Sequence, residues 1–191
     1  MLFRSETPQS VTVITRQRMD DQGMRSLDDV VQATPGLRMA AARPANSEYF
    51  SRGFPINNLM FDGLPTTYNA DWVAAAAMAP YDRVEIVRGA TGLMQGAGNP
   101  SAAINMVRKR PTREFRASVT ASAGSWDNYR SELDVSGPLN ANASVRGRFV
   151  GAYQDKDSFQ DYAGRERGGF YGISEFDLTD NTTLTRGASD Q

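Results

Sequence analysis

Residues 83–111 read RVEIVRGATGLMQGAGNPSAAINMVRKRP. Gly89, Gly92, Gly96 and Gly98 lie between two apolar runs, 83–89 and 104–109. A glycine-rich turn between a strand and a helix can cradle phosphates, so this stretch decides whether the chain binds nucleotides. A P-loop needs a Lys directly after its last glycine. The first Lys here is Lys109, beyond the second apolar run. The dinucleotide fingerprint needs a third glycine where Ser101 stands, and a helix opening at Pro100. Both phosphate readings fit poorly. The plainer reading is a long turn joining two strands, its glycines supplying positive φ or close backbone approach.

Upstream, SVTVIT (10–15) is a β-branched run suited to a buried strand. In SLDDVVQATPG (26–36), Ser26 and Asp29 have capping-box spacing, and Leu27, Val30 and Val31 share one face. The sequence predicts a short helix there, stopped at Pro35-Gly36. EYFSRGF (48–54) and NNLMFDG (57–63) read as strands, the second closing on an Asp-Gly turn. Asp71 caps a predicted short helix through WVAAAAMA, ended by Pro80. Short strands and helices without a doubly wound rhythm predict a small α+β domain.

Beyond Pro111 the pattern changes to period two. Phe115, Ala117, Val119, Ala121 and Ala123 alternate with Arg116, Ser118, Thr120 and Ser122. The alternation continues through 128–137, where Tyr129, Leu133 and Val135 oppose Arg130, Glu132 and Asp134. It runs on through 143–154, where Val145, Phe149 and Tyr153 oppose Arg146, Arg148 and Gln154. A fourth strand, 169–178, breaks the rule by placing Tyr171 and Ile173 with Glu175 and Asp177. A fifth, taken from Leu184, carries Arg186, Ala188 and Asp190 on the apolar side. Connections alternate between short and long. The pattern fits an outer-membrane barrel meander, one side toward lipid and the other wet. A soluble sandwich shares the alternation and stays open as the alternative.

Composition narrows the chemistry. With 21 Lys+Arg against 22 Asp+Glu, the net charge is −1, so no overall basic field exists to hold nucleic acid. The 191 residues include no Cys and no His, which removes Ser-His and Cys nucleophile systems and ordinary zinc sites. No window has the roughly 18 apolar residues of a membrane helix. The opening MLFRSETPQS has no apolar core of a secretory signal. The chain is thus expected to be cytosolic, or else a mature or partial chain whose leader lies elsewhere.

The whole of VEIVRGATGLMQGAGNPSAAINMVRKRP resembles the closing segment of the plug domain in TonB-dependent outer-membrane receptors. TPQSVTVITRQRMDDQG (7–23), SLDDVVQATPGL (26–37) and YFSRGFPINNLMFDGLP (49–65) resemble the same plug, in order. The likeness is to the siderophore-receptor branch, the ferric-pyoverdine group in particular. Residues 112–178, including AGSWDNYRSELDVSGPLN, resemble the first strands of that family's barrel. Ala90 departs from the usual Pro, and Ala102-Ala103 from the common Gly-Gly.

The resemblance implies an α+β plug over 6–111 and the first antiparallel strands, 112–191, of a barrel that has about 22 strands in the family. Lys109-Arg110-Pro111 marks the exit from plug to barrel. It implies a non-enzymatic importer of ferric siderophore across the outer membrane, driven by TonB and set in outer-membrane lipid. The TonB box and most of the barrel are not in this chain, so it is expected to be a fragment. The other readings are a non-transporting gene remnant, an isolated plug-like siderophore-binding module, or a nucleotide-binding enzyme. Iron would arrive held by its organic chelator, with no metal ligands and no cofactor from the protein.

Expected siderophore contacts are Arg43 in the loop 42–48, Tyr68 and Trp72 in the loop 65–72, and Tyr81 in the next connection. Arginine pairs an anionic chelate, while Tyr and Trp offer a broad face with a polar edge. Arg52, Glu85 and Arg88 are placed by the resemblance at the plug–barrel interface. Arg52 and Arg88 are expected to pair with barrel carboxylates, since a buried charge must be paired.

Overall fold

The structure, a computed structural model, describes residues 10–43, 46–66, 77–89, 101–124, 128–156, 165–179 and 181–190. The chain divides into two compact units, Met1–Arg108 and Lys109–Gln191. Sequence reading set the boundary after Pro111. The structure moves it upstream, because Lys109 and Arg110 pair with carboxylates on the second unit's strands.

In the first unit the elements run β1 (Ser10–Thr15), α1 (Arg16–Asp21), α2 (Leu27–Gln32), β2 (Leu37–Arg43), β3 (Asn46–Ser51), β4 (Phe54–Pro55), β5 (Asn58–Phe61), β6 (Leu64–Pro65), β7 (Tyr81–Arg88) and β8 (Ala102–Arg108). The main sheet has the order β1-β7-β8-β5-β6, and β2-β3-β4 form a second, smaller sheet. Among the described residues, β5 and β8 pair in parallel and the other ladders of the unit are antiparallel. This is the mixed α+β architecture that the alternating short patterns predicted.

One face of the main sheet carries Ile14, Val84, Ile86, Ile104, Met106 and Leu59, all essentially inaccessible. Met19 of α1 and Leu27, Val30 and Val31 of α2 complete that core. Helix α2 forms because its first turn is closed from both sides. Ser26 Oγ accepts from Asp29 N at 3.3 Å, and Asp29 Oδ2 accepts from Ser26 N at 2.8 Å. The helix ends as the chain turns at Gly36, whose φ of +82° a residue with a Cβ would resist.

Two predicted segments are corrected. The stretch 48–54 is not one strand: Arg52 (φ 54°) and Gly53 (φ 86°) make a two-residue turn between β3 and β4. The expected loop 42–48 is the end of a hairpin, since β2 and β3 pair up to Arg43↔Asn46. Strand β2, LRMAAAR, had escaped notice because it lacks β-branched residues. The Asp62-Gly63 turn is confirmed, with φ of 52° and 82°. The helix expected through WVAAAAMA falls mostly outside the described residues, as do Tyr68 and Trp72.

Strands β7 and β8 are antiparallel partners, with Arg88 opposite Ala102. The described residues on either side of the glycine stretch are thus neighbouring strands of one sheet, while residues 90–100 lie outside the described residues. Of its glycines only Gly89 (φ 120°) is described, and its N–H donates to Ser101 O at 3.2 Å.

The second unit is a meander of β9 (Arg116–Gly124), β10 (Asn128–Pro138), β11 (Val145–Lys156), β12 (Arg165–Thr179) and β13 (Thr182–Asp190), each paired antiparallel with the next. Strand β12 begins at Arg165, four residues before the predicted start, because the ladder with β11 continues through Gln154↔Arg167 to Lys156↔Arg165.

Register defines two faces. Val119↔Leu133↔Gly151↔Phe170 are in line on one, and Thr120↔Glu132↔Ala152↔Gly169 on the other. The apolar face is exposed: Val119 keeps 76% of its surface. On the central strands β10–β12 the charged face is the more buried one, with Arg146 at 6% and Glu175 at 6%. That inverts the arrangement of a soluble sheet.

The irregular fourth strand now has its reason. Tyr171 sits on the charged face with its ring fully buried, and its hydroxyl donates to Lys109 O at 3.1 Å.

Candidate functional site

Of the four expected siderophore contacts, only Tyr81 has a described side chain. It opens β7 and is 4% exposed, its ring stacked on Phe61 with centroids 6.1 Å apart. Core packing removes Tyr81 from the ligand set. Arg43 lies at the end of β2, next to the hairpin tip. Tyr68 and Trp72 lie outside the described residues.

The expected anchors also resolve differently. Glu85 points across its own sheet, accepting from Arg83 Nε at 2.7 Å and from Asn105 Nδ2 at 3.0 Å. The Glu85 carboxylate in turn holds the Arg83 guanidinium above its ordinary pKa. Arg88 braces the first unit internally: Nη1 donates to Pro35 O at 2.6 Å, and Nη2 to Ser10 Oγ and Thr12 Oγ1, both at 3.1 Å. One guanidinium thus ties edge strand β1 to the turn after α2. Its buried Nε has no hydrogen-bond partner among the described residues. The contacts described for Arg88 are thus all within the first unit. Arg52 sits exposed in the turn before β4, with Nη1 beside Gly89.

Near α2, Tyr49 donates its hydroxyl to Asp28 Oδ1 at 2.7 Å, and Ser47 Oγ donates to Asp28 Oδ2 at 3.1 Å. Burial first, and then the Asp28 carboxylate, push the Tyr49 phenol well above its usual pKa. The ring stays neutral and locks β3 to the helix.

Sequence reasoning missed the densest polar group. On the charged face of the meander, Arg146 spans Asp177 with two bonds of 2.6 and 2.8 Å and reaches Glu175 at 3.3 Å. Arg148 grips Asp134 with bonds of 2.9 and 2.7 Å. Arg130 pairs with Glu132 and reaches Gln154. Period two put these residues on one side. It could not say which would pair, since partners on neighbouring strands lie 14 to 31 residues apart. Buried ion pairs of this geometry suit a wet, protein-filled side, and the exposed apolar face suits hydrocarbon.

Among the described residues no group of three or more acidic, Cys or His side chains could hold a metal ion. None of their helices is long and apolar enough to cross a membrane, which says nothing of strands.

Comparison with known proteins extends this picture. The family model for the TonB-dependent receptor plug domain matches residues 4–103. The ferripyoverdine receptor of Pseudomonas aeruginosa is 54% identical over 195 aligned residues, covering all of this chain and 24% of the relative. The ferric-pyoverdine BN7/BN8 receptor of Pseudomonas putida is 50% identical, over 96% of this chain and 23% of its own length. The crystal structure of the P. aeruginosa outer-membrane ferripyoverdine receptor bound to ferripyoverdine superposes with a TM-score of 0.93 at 53% identity, over 98% of this chain and 26% of the other. The chain spans about a quarter of the length of the curated relatives it matches.

Proposed function

The chain belongs to the TonB-dependent receptor plug-domain family, and from that premise we propose that it forms the plug and first wall strands of an outer-membrane receptor importing a ferric siderophore of the pyoverdine class. The observation that carries this reading is the inside-out meander directly following the plug unit. A sheet exposing Val119, Leu133, Phe149 and Phe170 while burying Arg146 and Glu175 is stable where its outer side meets lipid.

In this reading the plug blocks the lumen, and TonB supplies the energy that rearranges it. Iron enters already wrapped in its chelator, so recognition falls to stacking, hydrogen bonds and charge. Arg43, Tyr68 and Trp72 are the proposed contacts, Arg for an anionic shell and the aromatics for the chromophore face. Arg52 is the proposed plug residue for a carboxylate on the barrel wall. Arg88 and Glu85 serve the plug's own sheets.

Fluorescence quenching of the complete encoded protein against a panel of ferric siderophores tests the reading. Saturable binding of one ferric pyoverdine, weakened by Tyr68→Ala or Trp72→Ala, is the expected result. Binding of none of the panel would overturn it.

A further inference from the structure

Resting on the transport reading above, we infer that Lys109–Thr112 is a fixed anchor, a positioning segment that stays on the wall strands while the plug preceding it rearranges. Three of its four residues, Lys109, Arg110 and Thr112, are held by three different strands. Lys109 Nζ donates to Asp134 Oδ2 on β10 at 2.8 Å, and Lys109 O accepts from the buried Tyr171 hydroxyl on β12. Arg110 Nη1 donates to Glu175 on β12 at 3.2 Å, and Arg110 O accepts from Arg148 on β11 at 2.9 Å. Thr112 donates its N–H to Ser136 Oγ on β10 at 2.8 Å, while its hydroxyl donates to Glu114 O at 2.7 Å and accepts from the Ser136 hydroxyl at 2.8 Å.

The partners are themselves fixed. Asp134 is shared between Lys109 and Arg148, and Glu175 between Arg110 and Arg146. Lys109 and Asp134 keep only 12% and 14% of their side-chain surface. Pulling the segment free would break its bonds to Asp134, Ser136, Arg148, Tyr171 and Glu175 together, a larger cost than any one bond. One residue upstream, Arg108 is clamped instead to Asp62 of the first unit. The change of allegiance between residues 108 and 109 places the pivot at that peptide.

These 191 residues contain no Cys, so a Thr112→Cys/Ser136→Cys pair places the only two thiols among them. In the complete encoded protein in cells, mild oxidant should close this bond, read as loss of maleimide labelling. Uptake of radioiron-loaded pyoverdine should be the same with the bond closed and after reduction. A bond that forms and blocks uptake reversibly would show that the segment must move, and would overturn the inference. Failure of the bond to form in the folded protein would overturn it as well. Absence of uptake in the reduced pair and in the unsubstituted protein alike would instead count against the transport reading itself, while bond closure still scores the anchor's geometry.

Discussion

Asp62 holds Arg108 at two points, accepting from its backbone N–H at 2.8 Å and from its Nε at 2.7 Å. The aspartate sits at φ 52° in the turn between β5 and β6, so a turn residue closes the far end of β8. Asp62→Asn keeps an acceptor and tolerates the left-handed backbone, and should cost about 1 kcal/mol, the worth of one charge-assisted bond at a half-exposed site. Asp62→Ala loses both bonds and strains the turn, for about 2 kcal/mol. Urea unfolding of the refolded protein in detergent should rank the variants in that order. Equal effects would show that the charged clamp, and not the turn, carries the stability.

Gly36 and Arg88 are coupled. A Cβ at Gly36 would lie 2.7 Å from Arg88 Nη1, the nitrogen that donates to Pro35 O. Gly36→Ala should destabilise by about 1–3 kcal/mol, from left-handed strain and a displaced guanidinium. Arg88→Gln should speed amide exchange across 10–15, since Ser10 and Thr12 lose their tie. A double-mutant cycle should be clearly non-additive, because both changes break one brace. Additive energies would separate the two residues.

Tyr49 gives the plug an alkaline limit. Its folded pKa is raised above the unfolded value, so the neutral phenol is favoured by folding. This contribution is complete below the ordinary tyrosine pKa near 10. Above it the unfolded chain ionises first, and stability falls by about 1.4 kcal/mol per pH unit. Tyr49→Phe should be less stable at neutral pH and lose this slope. An unchanged slope in the variant would assign it to another group.

The two faces of the meander should respond oppositely to charge. Arg146→Met leaves Glu175 and Asp177 without their shared cation, and should destabilise the meander. Glu175→Gln/Asp177→Asn in the same protein should recover much of the loss. On the outer face, Phe149→Arg should cost about 2–4 kcal/mol if the residue lies near the bilayer midplane. Thermal loss of the heat-modifiable folded band on gels reads both. A harmless Phe149→Arg would argue for a soluble sheet.

Much of this fold was legible because it rests on local chemistry. The Ser26/Asp29 box, the Asp62-Gly63 turn and the period-two faces are each written within a few residues. Arg52-Gly53 was missed because Arg seldom takes a left-handed turn position. Strand β2 was missed because Ala and Met carry no strand signature. The brace around Arg88 could not be read at all: its partners are 53, 76 and 78 residues away in sequence. Tyr81 misled for a related reason, since an aromatic beside a Pro looks like a loop residue until β7 is seen to begin there. The Lys109–Asp134 pair was hidden because its partners lie 25 residues apart in sequence.

The most direct test of the central claim is radioiron uptake in cells that differ only in the gene encoding this chain. The account predicts that deletion abolishes accumulation from one ferric pyoverdine, that the complete gene restores it, and that de-energising TonB removes it again. Undiminished uptake of every pyoverdine after deletion, with no other receptor able to carry them, would contradict it.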